Sequence, residues 1–153
     1  LRQKLRVASY DQPKVTDASH LIVIAARTDG ENVARELVER TAKTQGKSVE
    51  ELKGLSDMVH GFLSRQTEEG AKNWLKSQSY IPLGVMIEAA ALIGIDGGPM
   101  EGFNADEVDE ILGLKEKNLH AATMLALGFR GDDAYAKLPK TRKAYEDVVT
   151  TIN

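Results

Sequence analysis

At 153 residues, 42% hydrophobic and 28% charged, the chain has the size and composition of one soluble globular domain with enough apolar material for a core. A formal charge of −3 and a pI near 5.7 provide no positive field to collect nucleic acid or an anionic membrane. The lack of cysteine excludes disulfides, thiolate nucleophiles and cysteine-bound metal, and His20, His60 and His120 stand too far apart for a metal-ligand spacing, so no metal is expected.

Residues 1 to 9 read as the end of an amphipathic helix entered midway, broken by Asp11-Gln12-Pro13, and a domain incomplete at its N-terminus is expected. "SHLIVIAART", residues 19 to 28, has the length and β-branched content of a buried strand and closes at Asp29-Gly30. Helical patterns follow over 31 to 45 and 49 to 65, joined at Gly46-Lys47-Ser48. Ser48 with Glu51 three residues on forms a capping-box signature for the second. Residues 68 to 94 form the longest pattern, apolar on nearly all faces in its second half. This predicts a central helix buried by the rest of the fold and kinked at Pro82.

Gly97, Gly98, Pro99 and Gly102 lie within six residues, a composition that predicts neither helix nor regular strand. Read alone it is a connector, or a bare backbone on which a flat ligand can lie. Asn104 is a good N-cap for a short acidic helix over 105 to 113, and "LHAATMLALGF", 119 to 129, predicts a second buried strand ahead of an irregular tail. The expected class is α+β (α/β), a small mixed sheet sandwiched by helices around a long central helix, as a single domain over 1 to 153. No apolar run reaches 18 residues and no leader pattern opens the chain, so a cytoplasmic protein without a membrane partner is expected.

Gly94-Ile95-Asp96 followed by Pro99-Met100-Glu101-Gly102-Phe103 resembles the GLDxxPxEGF signature of the FMN-dependent nitroreductase family. "QPKVTDASHLIVIAA" (12 to 26), "GLKEK" (113 to 117) and "LPKTR" (138 to 142) match in the family's order, so the resemblance covers essentially the whole chain. It implies a homodimer with FMN at the interface. NADH or NADPH is the implied hydride donor and a nitroaromatic, quinone or similar small molecule the acceptor, in a ping-pong cycle. By the same resemblance Pro99, Met100, Glu101 and Gly102 line the flavin, with the Gly102 N–H near N5, the atom that receives hydride. Lys14 is expected beside the pyrimidine end, where a cation stabilises the charge that builds on reduction. Lys140 and Arg142 match the pair that reaches the FMN phosphate. Taken without the family, all three cations read as ordinary solvated surface.

The chain also departs from the family pattern. Asp11 stands where many relatives carry an asparagine that contacts the flavin, and an ionised carboxylate cannot donate that hydrogen bond. The family's Arg-rich N-terminal element and its Ser-Pro loop do not occur among these residues. A second expectation therefore stands beside the first: a catalytically inert dimerisation fragment, or a flavin-free binding module derived from such an enzyme. His60 and Phe62 fall where relatives have a variable substrate-contacting helix and are expected at the mouth of the site. Trp74 and Tyr80 read as packing or dimer contacts. No Ser/His/Asp set or carboxylate pair has a catalytic spacing, which leaves the chemistry to the flavin.

Overall fold

The computed structural model describes residues 1–152. Seven α-helices and three strands follow one another as α1 (Arg2–Ala8), α2 (Lys14–Asp17), β1 (His20–Arg27), α3 (Gly30–Gln45), α4 (Lys53–Leu63), α5 (Glu68–Gln78), α6 (Tyr80–Leu92), β2 (Asp96–Met100), α7 (Ala105–Leu112) and β3 (Leu119–Gly128). Among the described residues beyond β3 the tail holds only short 3-10 turns, as its composition suggested.

The sheet has the order β1-β3-β2. Both pairings are antiparallel, so the α+β class holds while the sheet is not mixed in these residues. β3 is central and is buried without interruption from Ala121 to Ala126. β1, expected to be buried, is a half-buried edge strand, because β3 flanks it on one side only. A register shift between Ile24 and Ala25 bends it.

Residues 96 to 100 correct the reading of the glycine stretch, since Asp96–Met100 form a regular strand in register with Met124–Gly128. Composition disfavoured it, but β3 supplies a ready template, and a proline is tolerated in an edge strand. A Cβ on Gly97 would stand 3.4 Å from Leu125 and 3.8 Å from Ile87 of α6, ordinary contact distances, so α6 lies over this strand without packing requiring glycine there.

On the opposite face, Leu5, Ala8, Val15, Met100, Phe103, Val108 and Met124 make the main core between the sheet, α1 and α7. Ser48 and Glu51 exchange the reciprocal hydrogen bonds of a capping box (2.8 and 3.2 Å), but at the head of a 3-10 turn, Glu50–Leu52. The helix expected over 49 to 65 is thus α-helical only from Lys53 to Leu63, and α3 ends on left-handed Gly46 (φ 65°). Asn104 caps α7 by accepting from the Glu107 N–H at 3.3 Å.

The long helix departs from expectation twice. It is two helices, α5 and α6, divided at Ser79 rather than kinked at Pro82, and the buried Ser79 hydroxyl donates to the Lys76 carbonyl at 2.6 Å. Pro82 lies in the first turn of α6, where a missing N–H costs no helical bond. Nor is α6 buried by the other described residues: Ile81, Val85 and Leu92, with Ile93 directly after the helix, are 62 to 81% exposed. A largely apolar helix left open in this way lacks a covering surface among the described residues.

Candidate functional site

The turn between α1 and α2 brings the N-terminal motif to the end of β2. Tyr10 and Asp11 both adopt left-handed backbone (φ 52° and 56°), tolerable for aspartate but costly for tyrosine. The Arg6 guanidinium steadies this turn through Asp11 at 2.6 Å and Thr16 at 3.1 Å. Asp11 is thereby engaged within its own turn. Gln12 then bridges the turn to the glycine segment, donating from Nε2 to the carbonyls of Gly102 (2.7 Å) and Ser9 (3.1 Å). Exposed Lys14 opens α2, and its aliphatic stem lies over Gly98, 3.6 Å from where a Cβ would be.

The segment after β2 is anchored at both ends by buried apolar side chains, Met100 (5% exposed) and Phe103 (8%). The Asn104 N–H ties it to α1 through the Ala8 carbonyl at 2.8 Å. Between the anchors, Glu101 and Gly102 are exposed, and their backbone N–H groups donate to no main-chain acceptor among the described residues. The Glu101 carboxylate accepts from Lys76 Nζ at 2.8 Å. Lys76 and then the Tyr80 hydroxyl hold this carboxyl below its ordinary range, while Glu101 in turn raises both partners.

Asp11, Lys14, Pro99, Met100, Glu101 and Gly102 are thus gathered at one place, although 85 residues separate Lys14 from Pro99. Lys140 and Arg142 lie in the tail, bound to its own carbonyls at Tyr135 (2.6 Å) and Thr141 (2.8 Å), and no hydrogen bond joins them to that group among the described residues. His60 lines a separate cleft of about 440 Å³ between α3, α4 and α5. Phe62 packs on Trp74 with ring centroids 5.1 Å apart, which accounts for Trp74 as a packing residue.

Three contributors escape a reading of the sequence. Gln12 sits inside a matched motif and could have been singled out there. Lys76 lies 25 positions before its carboxylate partner and carries no local signal. The buried Asp109 is the third, accepting from the Ala121 N–H (2.8 Å) and pairing with His120 Nδ1 (2.6 Å). Asp106, Asp109 and His120 offer ligand atoms within 4.8 Å of one another, but His120 and Lys115 already partner these carboxylates.

A sequence model of the nitroreductase family matches residues 2–129. The chain belongs to the nitroreductase family. It is 36% identical over 167 residues to YfkO of Bacillus subtilis strain 168, named as an NAD(P)H nitroreductase, covering 97% of this chain and 71% of that one. It is 30% identical over 147 residues to the major NAD(P)H-flavin oxidoreductase of Aliivibrio fischeri, covering 94% and 67%. Two solved structures share the fold at low identity. One is nitroreductase ydfN of Bacillus subtilis (TM-score 0.83, 20% identity, covering 99% and 72%). The other is a nitroreductase of Exiguobacterium sibiricum in complex with FMN (TM-score 0.74, 19%, covering 99% and 71%). For this member of the nitroreductase family, the Lys14 turn and the segment after β2 form the candidate site. No described helix is long and apolar enough to cross a membrane.

Proposed function

We propose that the chain is an FMN-dependent oxidoreductase that takes hydride from NADH or NADPH and passes it to a nitroaromatic, quinone or similar acceptor, acting as a homodimer. The observation that carries this reading is the exposed Glu101–Gly102 backbone, with two N–H groups uncommitted to main-chain acceptors among the described residues, at the end of a strand that carries two glycines and is crossed by Lys14. These features fit a flat ring with acceptor atoms along its edge: the main chain donates and glycine permits close approach. When bound, FMN supplies the group that accepts and returns hydride.

The protein's part is position and charge. Gln12 fixes the Gly102 carbonyl and so steadies the segment that carries the two N–H groups. Lys14 presents its positive charge where the ring turns negative on reduction, an interaction worth more in that state than before it. Lys140 and Arg142 are the proposed phosphate ligands, and they would exchange their present carbonyl partners for the phosphate. A second copy is the proposed cover for α6, whose apolar residues this chain leaves open.

The first test is the visible absorption spectrum of the protein as isolated. A flavin spectrum, bleached by NAD(P)H without acceptor and restored by acceptor alone, is the expected outcome. A requirement for both substrates to be bound together would remove the ping-pong cycle. The engagement of Lys140 and Arg142 within the tail favours a second reading, a flavin-free binding module. A protein that stays colourless after incubation with FMN would establish that alternative in place of the first.

A further inference from the structure

Glu101 places a carboxylate beside the segment proposed above to hold the flavin, where an uncompensated negative charge would oppose reduction of the ring. The structure compensates it from one direction. Lys76 is in the last turn of α5 and Tyr80 is the first residue of α6. They are four positions apart, so they share a face across the helix break. The break is itself secured, since Ser79 is 5% exposed and both its N–H (3.0 Å) and its hydroxyl (2.6 Å) donate to the Lys76 carbonyl. Lys76 Nζ reaches the Glu101 carboxylate at 2.8 Å, with Lys76 39% and Glu101 53% exposed. Gln12 meanwhile holds the next residue by its carbonyl. The loop is thus held through its main chain by α1–α2 and through its charge by α5–α6.

We infer that Lys76 is a positioning residue which neutralises and orients Glu101, so that the α5–α6 junction sets the reduction potential of the bound flavin. This inference rests on the proposed flavin site. The charge logic gives opposite signs for the two partners. Without Lys76, the Glu101 carboxylate is uncompensated and disfavours the reduced, more negative ring. Without the Glu101 charge, Lys76 is uncompensated and favours it. A role in packing alone predicts no such opposition.

The test is the midpoint potential of FMN bound to the full chain, with the flavin dissociation constant and a thermal melt alongside. The variants are Lys76→Met, Glu101→Gln, the double variant, Lys76→Arg and, as control, Lys72→Met, whose ammonium pairs with exposed Glu68 one turn earlier. We expect Lys76→Met to lower and Glu101→Gln to raise the preference for reduced over oxidised flavin by about tenfold each, about 30 mV for a two-electron couple. The double variant and Lys76→Arg should return close to the parent value, and Lys72→Met should not move. Single variants that shift together, or not at all, while the parent binds FMN, overturn this inference and leave the proposed function standing. Failure of the parent to bind FMN overturns both.

Discussion

Strand β3 and helix α6 are written in nearly the same apolar alphabet, "LHAATMLALG" and "YIPLGVMIEAAAL", yet they end in opposite surroundings. β3 has a strand on each edge and packed helices over its faces, and Met124 and Leu125 are wholly buried. α6 rests on β2 along one side, with Leu83 and Ala90 buried, while Leu92 and Ile93 remain more than three-quarters exposed. Apolarity states that a segment is to be covered. It does not state whether the cover comes from the same chain.

The sharpest probe of this contrast is Leu125→Ala, which should cost about 2–5 kcal/mol because the side chain is fully enclosed and its neighbours can collapse only in part. Denaturant unfolding at fixed protein concentration measures it. Asp109→Ala should follow at about 1–3 kcal/mol, since it leaves the Ala121 N–H of β3 without its acceptor. The same titration reports it, and an unchanged midpoint would show that water replaces the carboxylate.

At the entrance to α3, Arg27 grips Asp29 (2.6 Å) and Glu36 (3.1 Å), and the Arg27 hydrogen bond is the main cause that depresses the Asp29 carboxyl from its ordinary 3.8 to about 2. A folded value below the unfolded one contributes stability that is complete above the unfolded value and is lost as pH falls through the folded one. Acid unfolding between about pH 4 and pH 2 should therefore be less steep in Asp29→Asn, read by circular dichroism against pH. An identical acid limb would remove the pair from the balance.

Ile93→Lys should have the least effect on the folded chain, within about 0.5 kcal/mol, as for most exposed positions. Its effect should appear instead in sedimentation velocity, as loss of self-association. If Ile93→Lys destabilises a dilute monomer as Leu125→Ala does, the contrast between β3 and α6 collapses.

The parts legible in advance were those whose causes are local. Ser48 with Glu51, Asn104 before Asp106-Glu107, and Gly46 at a helix end each act within one turn, and each appears where its pattern stood. The strand at 96 to 100 was illegible from composition because its cause is Met124–Gly128, more than twenty residues on. The helix break was assigned to Pro82, the strongest local breaker, whereas the division falls at Ser79, where a hydroxyl competes for the Lys76 carbonyl. The candidate site divides the same way. Its glycines and Lys14 lie in contiguous motifs, but the Gln12 and Lys76 contacts exist only once α1 and α5 converge on the segment after β2.

β2 has a further consequence. It is a five-residue strand at the margin of the sheet, and Pro99 within it has no N–H to offer an incoming strand. Two glycines beside it present no side chains for a foreign β-segment to interlock with. This margin of the sheet is thus poorly suited to recruit another chain edge to edge. Replacing Gly97-Gly98-Pro99 with β-branched residues would turn it into a template for aggregation.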